Sequence, residues 1–286
     1  MLINENALTA LKSPVRTVEG RAYVYNTDGS IAYTLAKNTT LKEFTVERIG
    51  GSSKFFGYGL CHKANVKVVD TKRVIDINTS HNIYPYFINR VPTTESIFPY
   101  PYMKVSEVHR DENTNELSIT CYDPLYKAQS HTVSELELEA PYTIGTFAAT
   151  CAFFLGLNGA DAINVPEDDS SAFWLEYPEG ANFDGTETIR EALDAIAEAT
   201  QTIYYINKNN WLMFVRLDVN GDAVLTIDRE DYITLETKTN RRLATITYAT
   251  ELGDNLTVST TESGSTQIIR DNPLLELRED LQTILE

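Results

Sequence analysis

Between Tyr102 and Asp123 the chain reads YMKVSEVHRDENTNELSITCYD, a stretch that predicts a long two-stranded ribbon. Met103 and Val105 alternate with Lys104 on the first arm, and Leu117, Ile119 and Cys121 alternate with Ser118 and Thr120 on the second. Period-two alternation is the signature of a strand with one buried face. Between the arms, Arg110-Asp-Glu-Asn-Thr-Asn-Glu116 is polar, and its Asp and Asn side chains can bond their own backbone and reverse the chain. These residues serve structure, and none is arranged for bond-making chemistry.

The same grammar runs through the first third. Arg21–Asn26 and Ser30–Leu35 flank Thr27-Asp28-Gly29, an Asp-Gly hairpin signal. Phe44 and Val46 alternate with Glu43, Thr45 and Glu47, and Ala64, Val66 and Val68 with Asn65 and Lys67. Ile75 and Ile77 flank Asp76 and read as a further strand, while His81–Pro101, with Pro85, Pro92, Pro99 and Pro101, reads as a loop. About seven short strands with no helix among them predict an antiparallel β-barrel or sandwich over residues 1–123.

At Asp123-Pro124 the pattern changes. Thr143–Leu157 is a predicted helix closed by Gly156 or Gly159, and Thr188–Thr200 a second one. In the latter, Thr188 and Glu191 form a capping box and Ile189, Leu193, Ile196 and Ala197 line one face. Thr202–Ile206 and Trp211–Leu217 follow as a hairpin apolar on both faces and therefore covered on both. Residues 124–229 are thus a separate α+β unit. From Tyr232 strands return, at Leu243–Thr250 and Asn255–Thr260, and Pro273–Glu286 is an acidic helix bearing Leu274, Leu277, Leu281 and Ile284. Residues 230–286 hold too few strands to close a barrel, so this partial second barrel either completes its sheet with another chain or is truncated. The expected class is α+β, mainly β.

Composition limits function. A net charge of −17 repels nucleic acid and anionic membranes and keeps a protein soluble during assembly. The 3 cysteines, Cys61, Cys121 and Cys151, share no metal-like spacing and read as buried thiols of a chain made in a reducing cytoplasm. The N-terminus lacks the regions of a signal peptide, and Phe147–Leu157, the longest apolar run, is too short to cross a bilayer.

His62, His81, His109 and His131 read as isolated, with no metal motif or carboxylate–histidine spacing. Cys61 and His62 are adjacent but would face opposite ways on a strand. Asp218-Val-Asn-Gly-Asp222 opens like a calcium loop, yet Ala223 replaces its glycine and Arg229 its final acid, so a hairpin turn is favoured. No cofactor is expected. Aromatics near Glu176, Glu179 and Asp184 could serve a glycosidase cleft, although such clustering is common in so acidic a chain. Tyr84, Tyr86, Phe98 and Tyr100 form either a partner-binding surface or a plug for the barrel, and Leu277 and Leu281 should dock on a neighbouring chain.

Several segments together resemble the hub, or tail-associated, proteins of phage and prophage tails from Gram-positive bacteria, relatives of the trimeric baseplate hub. The resemblance is carried by FTVERIG at 44–50, KFFGYGLCHKANVKVVD at 54–70, KVSEVHR at 104–110 and NELSITCYD at 115–123. The unit Gly185–Asp218, with its helix and hairpin, and the segment Asn240–Asn255 carry it further. It implies two similar barrels with an α/β unit between them, three chains forming a ring whose six barrels meet a six-fold tail tube, and a three-fold tip or spike below. The implied partners are copies of this chain and other tail proteins (tube or distal tail, tip or spike, tape measure), in the virion tail. No catalytic residue follows from the resemblance. Two other readings stand: a tail-associated cell-wall hydrolase using Glu176, Glu179 or Asp184, and a carbohydrate-binding module using the Tyr/Pro segment.

Overall fold

A computed structural model describes residues 17–36, 40–50, 54–91, 94–157, 163–165, 173, 176–177, 180–181, 183–216, 243–249, 255–259, 264–270 and 272–275. Its first eight strands are β1 (Thr17–Tyr25), β2 (Ile31–Ala36), β3 (Leu41–Gly50), β4 (Tyr58–Val69), β5 (Asn82–Val91), β6 (Thr94–Pro99), β7 (Met103–Asp111) and β8 (Glu116–Tyr122). Along the sheet the pairing runs β2-β1-β5-β7-β8-β4, with β3 also on β4 and β6 also on β5. The mainly β character is as expected.

The ribbon of β7 and β8 forms as its alternation requires. Met103, Val105, Leu117, Ile119 and Cys121 are all buried, and Asp111 at the tip accepts hydrogen bonds from the Asn113 and Thr114 amides. Between Val105 and Glu107 the register shifts, leaving Ser106 unpaired opposite β8. The Asp-Gly hairpin also forms, with Asn26 and Ser30 bonded across the turn between β1 and β2.

One apolar cluster joins Ala22 and Val24 of β1, Leu35 of β2, Val66 of β4, Ile83 of β5 and Leu117 of β8. Residues so far apart along the sheet share one core only if the sheet curls around it. Phe44 of β3 meets Phe87 of β5 across the curl, with ring centroids 4.8 Å apart. Among the described residues, however, no ladder joins β3 to β1 or β2, so the sheet is curved and open where a closed barrel was expected.

Two segments depart from the sequence reading. His81–Pro101 is the hairpin of β5 and β6 followed by a short link, and not a loop. Pro85 is tolerated inside a strand because it lies where β5 changes neighbours: Asn82 and Ile83 pair with β7, whereas Tyr86 onward pairs with β6. The Pro85 carbonyl accepts from the Tyr100 amide just outside the regular ladder, so the missing N–H interrupts no ladder bond there. Conversely, Ile75 and Ile77 are buried but belong to no strand. Asp70 accepts from the Val74 and Ile75 amides at 2.9 and 3.0 Å and from Arg110, while the Asp76 amide donates to the Tyr33 hydroxyl.

Burial alone would raise the Asp70 pKa, but these donors outweigh it and hold the carboxyl below its ordinary value. A depressed carboxyl contributes stability that is present above the unfolded pKa of about 3.9 and is lost as pH falls through the folded value. Asp70→Asn should therefore be less stable than the parent at pH 7, with the gap closing below about pH 4. Denaturant melts of both proteins at several pH values check this; a gap independent of pH would refute it.

Beyond β8 the chain makes a 3-10 turn at Pro124–Gln129, then β9 (Tyr142–Thr143), α1 (Ile144–Phe154), β10 (Ile163–Asn164) and β11 (Glu176–Tyr177). Next come α2 (Ile189–Ala199), β12 (Ile203–Ile206) and β13 (Leu212–Val215). Helix α1 ends at Gly156, whose φ of +79° only glycine adopts without strain. The Leu157 amide there bonds the Ala152 carbonyl and the Gly156 amide that of Phe153. In α2 the reciprocal Thr188–Glu191 box is present, and Ile189, Leu193 and Ile196 are fully buried. One face of the β12–β13 hairpin is buried throughout (Tyr204, Ile206, Leu212, Phe214), whereas Tyr205 and Met213 on the other are half-buried.

This hairpin extends the first sheet. β12 pairs in parallel with β4, Tyr204 lying opposite Gly59, so eleven strands form one mixed sheet spanning residues on both sides of Asp123. A smaller sheet, β15-β14-β16, comprises β14 (Leu243–Ala249), β15 (Asn255–Ser259) and β16 (Ser265–Arg270). Its Ile246, Tyr248 and Ile269, with Leu274 and Leu275 after it, share a core with α1 and α2. β16 has no counterpart in the sequence reading. The calcium-like loop, Leu277 and Leu281 lie outside the described residues. Among the described residues no helix is long and apolar enough to cross a membrane.

Candidate interaction surface

Alternation on β1 and β5 sends Ala22, Val24 and Ile83 into the core and Tyr23, Tyr25, Tyr84 and Tyr86 to the opposite face. Tyr23 lies directly across from Tyr84 and stacks diagonally on Tyr86, centroids 5.3 Å apart. Tyr102, at the entrance to β7, closes the group at 4.9 Å from Tyr84 and 5.5 Å from Tyr25. Burial raises the Tyr84 pKa and carries that of Tyr86 to about 12, with the hydrogen bond that Tyr86 donates to Tyr23 adding to it. Those two phenols are therefore neutral across the physiological range. The result is a continuous patch of aromatic faces and hydroxyl groups. Beside it, Glu19 joins Arg21 and Arg90, and Arg90 reaches Glu95.

Of the six residues read as partner-facing, the structure brings Tyr84 and Tyr86 into this patch. Phe98 pairs with Phe87 in the ladder, and Tyr100 packs edge-on against Phe87 and His62, on the side of the first core. The four aromatics thus divide between two faces. Tyr23, Tyr25 and Tyr102 were missed, although the repeated Tyr-x-Tyr at 23–25 and 84–86 carries the signal.

The second concentration of polar groups lies inside. Asp123, with its side chain fully buried, accepts from the Cys61 thiol at 3.1 Å, the His62 amide at 2.7 Å and the Leu125 amide at 3.1 Å. Its Oδ2 also lies 2.9 Å from His62 Nδ1. Because Arg48 Nε donates to His62 Nε2 at 3.1 Å, the ring's proton sits on Nδ1 and is given to Asp123. The histidines are therefore not all isolated, as the sequence suggested: His62 meets Asp123 and His131 meets Glu135 at 2.9 Å. The neighbours Cys61 and His62 reach the same carboxyl because His62 does so with its own amide as well as its ring.

This arrangement joins β3, β4 and the turn after β8. Burial, and then Asp123, push the Cys61 thiol pKa up, and burial raises Cys121 to about 12. All three cysteines are buried and free. No group of three or more His, Cys, Asp and Glu able to hold a metal occurs among the described residues. Asp184, one of the three candidate acids, accepts from the Thr186 amide and hydroxyl in the loop before α2, a local turn that lowers its pKa. Glu179 and the side chain of Glu176 lie outside the description.

No family model matches the chain, and no curated protein matches it in sequence. Solved structures do share its fold. The 43 kDa tail protein of prophage MuSo2 from Shewanella oneidensis superposes with a TM-score of 0.53 at 11% identity, covering 93% of this chain and 76% of that one. A tail protein from Neisseria meningitidis MC58 gives a TM-score of 0.52 at 11% identity over 93% and 74% of the two chains. Neither points to a Gram-positive host, and that part of the resemblance is without support.

Proposed function

We propose that the chain is a structural component of a phage or prophage tail, a hub or baseplate protein that adapts the six-fold tube to a three-fold tip by forming a trimer. The observation that carries this reading is the likeness to two tail proteins across 93% of the chain, extending through the curved sheet, the helical unit and the small terminal sheet. On this reading the two barrels expected of a hub correspond to the curved open sheet and to the small β14–β16 sheet. The aromatic patch then contributes to contacts with tube, tip or tape-measure subunits. The work of such a protein is interface burial at strand edges and apolar faces.

The polar groups support a non-enzymatic role. Asp123, Asp70 and Asp184 each use their oxygens to hold backbone amides or local turns. Mass in solution with negative-stain imaging should give a trimer of about three times 32.1 kDa arranged as a three-fold ring. A stubborn monomer at micromolar concentration would remove the hub assignment. Purified peptidoglycan should release no soluble fragments on incubation with the protein; release would favour the hydrolase.

A further inference from the structure

A cleft of about 540 Å3 opens between the ribbon, the turn after it, the end of α1 and the β12–β13 turn. One wall is a row across three strands, in which Asn82 of β5 lies beside Lys104 of β7 and Lys104 beside Tyr122 of β8. Tyr126 stacks on Tyr122 with centroids 4.1 Å apart and planes within 12°. Tyr126 remains 45% exposed, and Tyr102, also lining the cleft, 39%. Lys127, Asn210, Asp123 and the unpaired Ser106 add to the polar lining.

The two lysines are unusual for this molecule. Acids outnumber Lys and Arg by 41 to 24, and most cations on the sheet have a carboxylate, as in Lys63–Glu47, Lys67–Glu43 and Arg110–Asp70. Among the described residues neither Lys104 nor Lys127 has such a partner, yet both line the same cleft. The one acid there, Asp123, is buried and engaged with Cys61, His62 and Leu125. The nearby end of α1 does not neutralise them fully, since the Cys151, Ala152 and Phe153 carbonyls are already taken by the Leu155, Leu157 and Gly156 amides. Both lysines are solvent-exposed along the cleft, and partial desolvation, then the charge of Lys104, lower the Lys127 pKa.

We propose that this cleft binds an acidic saccharide, a sugar chain bearing carboxylate groups. Exposed faces of Tyr126 and Tyr102 suit the apolar side of a pyranose ring, Asn82 and Ser106 supply hydrogen bonds for hydroxyl groups, and Lys104 and Lys127 take the carboxylate. A purely anionic ligand would leave the tyrosines unused, and a neutral sugar would leave both ammonium groups without a counter-charge. The site adjoins the aromatic patch, since Tyr102 belongs to both, but its two lysines, Tyr122 and Tyr126 lie outside that patch and the proposal does not depend on the tail reading.

The probes are trigalacturonic acid, neutral maltotriose and a hexaglutamate peptide, titrated into the full chain by calorimetry at low salt. Trigalacturonate should bind saturably, and maltotriose and hexaglutamate each at least tenfold more weakly. Lys104→Gln with Lys127→Gln should abolish the preference for the charged sugar, whereas Tyr126→Ala should weaken both sugars at least fivefold. Circular dichroism melts verify that these surface variants remain folded. Hexaglutamate binding as tightly as trigalacturonate would replace the proposal with an acidic-peptide site. Absence of saturable binding, or affinities unchanged in both variants, would overturn it.

Discussion

Asp123→Ala is expected to lower the unfolding free energy by about 3–5 kcal/mol, the largest effect of any polar substitution in the described residues. The side chain is fully buried, and its removal strands the His62 and Leu125 amides and the His62 Nδ1–H at once, while the Cys61 thiol keeps only the His62 carbonyl at 3.6 Å. Each buried donor left without an acceptor costs about 1–3 kcal/mol, and partial relaxation makes the total less than their sum. The loss should spread, because His62 also receives Arg48 and so links β3 to β4 and to the turn after β8. Asp123→Asn keeps the shape but offers one acceptor oxygen where two served, and should fall between alanine and the parent. Guanidinium melts followed by circular dichroism measure both. A loss under about 1 kcal/mol for alanine would show that the stranded donors find other acceptors and that the cluster is not a structural pin.

That cluster also shows what a sequence conceals. His62 and Asp123 are 61 residues apart, and their meeting depends on β4 pairing with β8, which no local pattern states. Where the physics is local, the sequence was readable. The Asp-Gly turn, the polar tip of the ribbon and the Thr188–Glu191 box all rest on contacts within a few residues, and all are present. β5 was misread because Pro85 is a breaker in isolation, and only the change of neighbouring strand makes it harmless. β16 was missed because Gln267 takes an inward position usually held by an apolar residue. It is satisfied there by the Phe55 amide and the Phe56 carbonyl, more than 200 residues away. Ile75 and Ile77 failed the other way: burial was rightly read, but the backbone bonds go to side chains. The tyrosine patch was half legible, since alternation marks Tyr84 and Tyr86 as sharing a face, while the arrival of Tyr23, Tyr25 and Tyr102 needs the β1–β5 pairing.

The second large effect is expected at Gly59, where the two main parts of the sheet are joined. Gly59 of β4 lies opposite Tyr204 of β12, and a methyl group placed on it would come within 2.4 Å of the Tyr204 ring. Real carbon atoms do not approach so closely, so the ring or the strand must move. The ring is constrained: it is fully buried, its hydroxyl donates to Asp194 at 2.7 Å, and the Arg190 guanidinium lies 5.2 Å from its centroid. Arg190 in turn donates to the Gly59 carbonyl at 2.7 Å, so a shift of the strand breaks that bond too. Overpacking of this kind costs about 1–3 kcal/mol, and Gly59→Ala should sit at the upper end because two hydrogen bonds are disturbed with it. A double-mutant cycle with Tyr204→Ala distinguishes the clash from a backbone effect. If the ring is the obstacle, Gly59→Ala should cost at least about 1 kcal/mol less once the ring is gone. Strict additivity would mean that glycine is required at this position for the strand itself, and the parallel β4–β12 pairing would then be limited by backbone conformation and not by side-chain packing.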